Sequence, residues 1–116
     1  MDRTACSLLD KKCVPCDGGV PALNSDQIED LMKELEGWTV VEDKLIEKDF
    51  KLKNFKAAIS FINQIAEIAE QEGHHPDLNL YNWNKVKITL STHAIKGLSE
   101  NDFILAAKID NTFKEI

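Results

Sequence analysis

The spacing of apolar residues along the chain changes between a helical period near 3.6 and a strand period of 2. A helical face comes first, and its members are Ile28, Leu31, Met32 and Leu35. Asn24 or Ser25 can cap this helix, with Gln27 as the reciprocal partner of Asn24. Gly37 is a suitable stop because glycine readily adopts the left-handed backbone conformation.

Two strand-like segments follow at 38–41 and 45–52, separated by the polar pair Glu42 and Asp43. The second segment alternates, with Ile46, Phe50 and Leu52 on one side. Lys48 falls on that apolar side as the one exception. The pattern predicts a β-hairpin with one buried face.

A second, longer helical stripe begins after Asn54, which is a good N-terminal cap. Its members are Phe55, Ala58, Ile59, Ile62, Ile65, Ala66 and Ala69. Gly73 permits a left-handed stop, and Pro76 prevents the helix from resuming.

A second hairpin is predicted over roughly 78–92 with its turn near 82–85, and a last helix begins at Ser99. Asp102 stands at the third helical position, as in a capping box, and Leu98 and Phe103 are spaced as a hydrophobic staple. The buried stripe of this helix is predicted to continue through Ala106, Ile109, Phe113 and Ile116.

The element order is therefore α-β-β-α-β-β-α, and strands joined by hairpins are antiparallel. A sheet with one apolar face buries that face under helices, which predicts a two-layer α+β fold with a four-stranded antiparallel sheet. Residues 1–23 are predicted to form an N-terminal arm and 24–116 the folded domain. The exposed sheet edges could pair between subunits, which favours oligomerisation.

Composition narrows the class of protein. The chain has 116 residues and a net charge of −6, which argues against a nonspecific nucleic-acid binder. It has no apolar run long enough to span a membrane and no signal-peptide pattern at its start. Its cysteines are Cys6, Cys13 and Cys16, an odd number near one end, which is no disulfide framework. Together these features predict a cytoplasmic protein.

All three histidines lie within one fifth of the chain, as His74, His75 and His93. Imidazole can both give and take a proton near neutral pH, so the cluster suggests an acid/base site. Asp102 and Glu70 also lie at the ends of predicted elements, where functional groups collect. Taken singly, each histidine can equally be a solvated loop residue, Asp102 a helix cap and Glu70 a solvated helix residue.

Two other chemistries are open at this point. Three histidines and an aspartate suit zinc, but neighbouring side chains point apart, so His74 and His75 cannot easily share one ion. We therefore expect no metal. Cys13 and Cys16 have a redox-like or zinc-like spacing, but neither a βαβ context nor two further thiol ligands accompany them.

One set of positions carries a family resemblance: Glu70, His74, His75, Pro76, Trp83, His93 and Asp102. In type and spacing it resembles the signature of the pterin-4a-carbinolamine dehydratases. The runs 84–86, 88–93 and 97–99 extend the resemblance, and 13–19 is similar to the arm of bacterial-type members. Six residues separate Pro76 from Trp83, the longer of the spacings that the family shows.

The resemblance implies an enzyme that dehydrates 4a-hydroxytetrahydropterin to quinonoid dihydropterin, with no cofactor, in the recycling of tetrahydrobiopterin. It implies a link to an aromatic amino-acid hydroxylase as the source of the substrate. The rival that it brings is a protein-interaction module that acts as a dimerisation cofactor of a transcription factor.

The resemblance also implies roles for individual residues. The catalytic set is His74, His93, His75 and Asp102, with His74 and His93 transferring protons. The substrate-binding set is His75, Glu70 and Trp83. Asp102 would orient an imidazole or keep the site polar, and Glu70 would raise the basicity of a nearby histidine. Trp83 would shape the pocket, although it could equally be a core aromatic.

Overall fold

The computed structural model of the chain describes residues 8–13 and 21–116. The helices are α1 (Ser25–Met32), α2 (Phe55–Glu72) and α3 (Glu100–Lys114), and the strands are β1 (Thr39–Val41), β2 (Leu45–Lys51), β3 (Asp77–Tyr81) and β4 (Lys85–Leu90). Two short 3-10 turns are added at Leu8–Asp10 and His93–Ile95. The order α-β-β-α-β-β-α and the α+β class confirm the prediction.

The four strands form one antiparallel sheet in the spatial order β1-β2-β4-β3. Ile46 lies opposite Leu90 and Phe50 opposite Val86 across the central pair. These side chains are buried on one face of the sheet, where α2 and α3 also contribute their buried residues to the single apolar core. β1 and β3 are the edges of the sheet.

Lys48, the exception in the strand pattern, lies on the buried face because it has a partner there. Its Nζ is 2.9 Å from Asp110 Oδ1 on α3 and donates to the Glu36 carbonyl at 2.9 Å. The same ammonium lies 4.8 Å from the ring centre of Phe50. Asp110 also accepts the indole N–H of Trp38 at 3.0 Å. The charge is thus neutralised and hydrogen-bonded where it meets the core.

The helix caps follow the sequence pattern. The side chain of Asn24 accepts the Gln27 N–H and the side chain of Gln27 accepts the Asn24 N–H, both at 2.9 Å. Asn54 accepts the Ala57 N–H at 2.7 Å and so caps α2. α1 ends at Met32, before the predicted stop, and Gly37 with φ of +83° lies in the turn that precedes β1.

Both hairpins turn through two residues in the left-handed region. Glu42 and Asp43 have φ of 52° and 57°, and Asn82 and Trp83 have φ of 50° and 58°. Such turns match the right-handed twist of paired strands. The first hairpin ends at Lys51, one residue before the predicted end, and the second runs from Asp77 to Leu90 rather than over the predicted 78–92.

Two apolar stripes are only partly buried. On α2 the buried residues are Ala58, Phe61, Ile65 and Ala69, whereas Phe55 is 52% exposed. On α3 the prediction that Ile116 is buried is wrong: it is 53% exposed because the helix ends at Lys114, before that residue. Within the parts of the chain that the structure describes, no helix is both long and apolar enough to cross a bilayer.

Candidate active site

The end of α2, the end of β4 and the start of α3 meet at one side of the molecule. α2 ends at Gly73, whose φ of +68° lets the chain leave the helix, and the Gly73 and His74 N–H groups both donate to the Ala69 carbonyl. β4 ends one residue before Ser91, and Thr92 then exchanges backbone hydrogen bonds with Gly97. This bridge closes the small loop that carries His93.

A cavity of about 260 Å³ lies between these ends. It is lined by Gly73, His74, His75, Ser91, Thr92, His93, Ala94 and Asn101. Its size is just under the roughly 300–1,000 Å³ of pockets that hold drug-sized ligands, so it suits a small ligand. All three histidines of the chain line this one cavity, although His93 follows 19 positions after His74 in the sequence.

The His74 side chain is hydrogen-bonded to the buried carboxylate of Asp102. Its Nε2 is 2.6 Å from Asp102 Oδ1, and the side chains are 12% and 0% exposed. A carboxylate only accepts hydrogen bonds, so Nε2 is the nitrogen that carries the hydrogen. In the neutral ring, Nδ1 is then the nitrogen that can take a proton.

Asp102 is itself fixed by two more donors. Its Oδ2 accepts the Thr92 hydroxyl at 2.8 Å and the Ser99 backbone N–H at 3.0 Å. The Thr92 and Ser99 hydroxyls are 2.7 Å apart. The carboxylate therefore caps α3 and also binds His74.

His75 faces the other way from its neighbour. Its Nε2 is 2.7 Å from Glu70 Oε2, and both side chains are exposed, at 62% and 77%. His75 and Glu70 are five residues apart, so the pair closes over the end of α2. Water screens this pair, whereas it is largely excluded from the His74–Asp102 pair.

His93 and Asn101 complete the lining. His93 begins the 3-10 turn and is exposed at the mouth, while Asn101 is 5% exposed in the first turn of α3. We did not predict Asn101, since a polar residue next to a helix cap is usually solvated. No local signal marks it, because its burial comes from the packing of the arm and α2 against α3.

Trp83 lies apart from the histidines within one chain. It is 60% exposed at the tip of the second hairpin and lines a shallow depression with Lys51, Asn82, Asn84 and Lys85. It is not a core aromatic. Its predicted contact with the pterin stays a prediction.

The metal and thiol alternatives can be compared with the geometry of the described residues. There, no three His, Cys, Asp or Glu side chains are grouped to hold a metal ion. Cys6 and Cys16 lie outside the described residues. Burial, and then the nearby Glu72 carboxylate, raises the pKa of the Cys13 thiol to about 12, so this sulfur stays protonated and is a poor nucleophile or ligand.

Comparison with known proteins identifies the family. The family model for pterin 4 alpha carbinolamine dehydratase matches residues 21–112. The chain belongs to this family.

Named relatives agree with that assignment. A protein of Alkaliphilus metalliredigens that carries the name pterin-4-alpha-carbinolamine dehydratase is 53% identical over 94% of this chain and 98% of its own. A protein of Rubrobacter xylanophilus with the same name is 45% identical over 89% of this chain and 95% of its own. The dehydratases of this family are hydro-lyases, so the chain is classed as an enzyme.

A solved structure also matches the fold. A transcriptional coactivator/pterin dehydratase of Brucella melitensis superposes with a TM-score of 0.72 and 34% identity, over 78% of this chain and 97% of that one. The family resemblance and the enzyme class expected from the sequence are thus confirmed.

Proposed function

We propose that this dehydratase removes water from a 4a-hydroxytetrahydropterin to give the quinonoid dihydropterin, by acid/base catalysis through its histidines. The observation that carries the proposal is the single cavity on which all three imidazoles open, with one of them fixed by a buried carboxylate. Membership of the family supports the pterin as substrate.

The reaction balances without an oxidant or reductant. The C4a–O bond breaks and the hydroxyl leaves as water after taking one proton from an acid. The N5–H bond gives its proton to a base, and its electron pair forms the new C=N bond. Two proton-transfer groups are therefore sufficient, and each positioned group typically contributes about 10²–10⁴-fold in rate.

His74 and His93 are the proposed proton-transfer pair. They come from different loops, one after α2 and one after β4, and both line the same cavity. An acid and a base that act on neighbouring ring atoms need such proximity. Asp102 sets the orientation and tautomer of His74. His75 binds and orients the pterin, with Glu70 supporting it from the surface.

The test is a stopped assay of 4a-hydroxypterin loss, with enzyme compared to buffer because the reaction also proceeds unaided, and with chelator present throughout. We expect the full chain to exceed the buffer rate. We expect the His74→Ala/His93→Ala double variant to return to the buffer rate.

A matched control is Lys33→Ala, since the exposed Lys33–Asp30 pair lies at the C-terminal end of α1 and neither residue lines the histidine cavity. It should keep full turnover. Full turnover by the double variant would remove the histidines from the mechanism, whereas buffer-level loss with the unaltered chain would remove the dehydration of this substrate.

The same proposal includes the location of the protein, its oligomeric state and the source of its substrate. We expect the protein to act in the cytoplasm as a homodimer or homotetramer and to receive its substrate from an aromatic amino-acid hydroxylase. The sheet edges β1 and β3 supply unpaired backbone groups through which copies could associate.

The Brucella protein is named a transcriptional coactivator as well as a pterin dehydratase, which favours a second candidate, a coactivator role. For this chain it would be the dimerisation cofactor of a transcription factor that the family resemblance implies. The two functions are separable by the same variants. A coactivator surface on the helices would survive His74→Ala, whereas one that needs the pterin cavity would lose binding together with turnover.

A further inference from the structure

The arm residues 11–13 make contacts at the cavity that the proposed mechanism does not use. The Lys12 ammonium donates to the Gln71 carbonyl at 3.1 Å, at the end of α2. Lys11 pairs with Glu100, the first residue of α3. The Cys13 thiol donates to the Asn101 carbonyl at a sulfur–oxygen distance of 3.6 Å. Three successive residues therefore reach the two helix ends that border the cavity.

Glu72 is the point where these contacts converge. One of its carboxylate oxygens accepts the Cys13 backbone N–H at 2.8 Å. The other is 3.2 Å from the Lys108 ammonium on α3. The side chain is only 7% exposed, so both interactions are shielded from water. One carboxylate thus joins the end of α2, the arm and α3.

The position of Glu72 links this junction to the catalytic groups. Gly73 and His74 directly follow it, and their N–H groups hold the last turn of α2 through bonds of 2.9 and 3.2 Å to the Ala69 carbonyl. On the other side of the junction, Asn101 and Asp102 stand in the first turn of α3. The His74–Asp102 bond therefore spans the two elements that Glu72 ties together.

We infer that Glu72 is a positioning residue: through Cys13 and Lys108 it fixes the distance between the end of α2 and the start of α3, and so holds His74 in register with Asp102. The inference rests on the proposed function for its kinetic consequences. Its structural consequence, a loosened end of α2, is independent of any substrate.

The variants are made in the full chain. Glu72→Ala removes both bonds, and Glu72→Gln keeps an acceptor for the Cys13 N–H but loses the charge that pairs with Lys108. We expect kcat to fall about 10-fold for Glu72→Ala and less for Glu72→Gln, within the ~100-fold that a 1 Å misplacement can cost.

A second measurement separates positioning from general destabilisation. Hydrogen exchange of the Gly73 and His74 amides should rise about 10-fold in Glu72→Ala, because their bonds to Ala69 form the last turn. The amides of Val86 and Ile88, in the middle of the sheet, should keep their protection. If Glu72→Ala does not fold, Glu72→Gln and Lys108→Met give the same readouts with one bond removed.

Two controls complete the design. Glu67→Gln makes the same chemical change on an exposed position of α2 and should change neither readout. Ile28→Val removes a buried methyl group from α1, outside the cavity lining, so it lowers stability and should leave kcat and KM unchanged.

The inference is overturned if Glu72→Ala lowers the melting temperature as Ile28→Val does but leaves kcat, KM and the exchange of Gly73 and His74 unchanged. Failure of the proposed function gives a different result. In that case the unaltered chain does not exceed buffer, while the exchange measurement still decides the role of Glu72.

Discussion

The end of α2 has two faces with the same residue types in opposite surroundings. On the outer face Glu70 and His75 meet at 2.7 Å, with 77% and 62% of their side chains exposed. On the inner face Glu72 is 7% exposed and pairs with the half-buried Lys108, and His74 is 12% exposed and pairs with the buried Asp102. The His75–Glu70 and His74–Asp102 pairs are both imidazole–carboxylate pairs, at 2.7 and 2.6 Å, so they differ mainly in their exposure to water.

The difference in exposure is the basis on which we propose different roles for the two faces. An exposed ion pair is screened by water and contributes about 0–1 kcal/mol. The buried Asp102 carboxylate, hydrogen-bonded through both oxygens, holds His74 in one orientation and one tautomer. We therefore expect proton transfer, which depends on geometry, on the inner face and substrate binding on the outer face.

The largest expected effect comes from Asp102→Asn on the inner face. The Asn oxygen would still accept from Thr92 and Ser99, so the amide NH₂ would face His74 Nε2. That nitrogen would have to become the acceptor, and the hydrogen would move to Nδ1. We expect kcat to fall about 100-fold or more, because His74 could then no longer take a proton at Nδ1, with KM nearly unchanged.

The melting temperature of Asp102→Asn separates the change of tautomer from misfolding. We expect it to stay nearly unchanged, because the amide can replace the three hydrogen bonds of the carboxylate. An unchanged kcat would show that the tautomer of His74 is irrelevant to turnover. The buried position of the His74–Asp102 pair would then have no bearing on turnover.

Next in size is the pH dependence of stability at Glu72. Burial alone would raise the pKa of this carboxyl, but the Cys13 N–H and the Lys108 ammonium lower it below its ordinary value of 4.5. A depressed folded pKa contributes stability above the unfolded pKa, and this is lost as pH falls through the folded value. Glu72→Gln should therefore cost about 1.5–3 kcal/mol at pH 7 and progressively less below pH 4.5.

Denaturant unfolding of both proteins at pH 7 and at about pH 3 measures this difference. A loss of stability that is equal at both pH values would mean that the charge of Glu72 does not stabilise the junction.

On the outer face the expected effect is on binding. His75→Ala removes a cavity-lining imidazole that has no buried partner, so the other catalytic groups stay in place. We expect KM to rise about 10-fold, the equivalent of one hydrogen bond of about 1.4 kcal/mol, and kcat to change less than about threefold. Steady-state kinetics measure both, and a selective loss of kcat would move His75 into the proton-transfer step.

The features that local sequence decides were predictable. Asn24, Asn54 and Gly73 act within one helical turn of themselves, so their caps and stop follow from residue type and spacing. Asp102 was also predictable as a cap, because Ser99 is three positions away. The cavity could be anticipated from histidines at element ends once the family resemblance was added.

The features that depend on distant packing were not predictable. Glu72 binds a backbone group 59 residues away, and no pattern distinguishes it from Glu70 on the same helix. Which of two adjacent histidines turns inward depends on the direction in which the chain leaves Gly73. Asn101 reads as a surface residue, and its burial follows only from the packing of the arm and α2 against α3.

The smallest effect separates the two faces most directly. Glu70→Gln leaves a hydrogen-bond partner for His75 but removes the negative charge, as Asp102→Asn does for His74. Because water and salt already screen the exposed pair, we expect KM and kcat to change less than about threefold, and the change to vanish near 1 M salt, where the Debye length is about 3 Å. Kinetics of both variants at low and high salt provide the measurement. If Glu70→Gln matches Asp102→Asn in lost kcat, exposure is not what distinguishes the two carboxylates, and the outer pair must act in the chemistry as well as in binding.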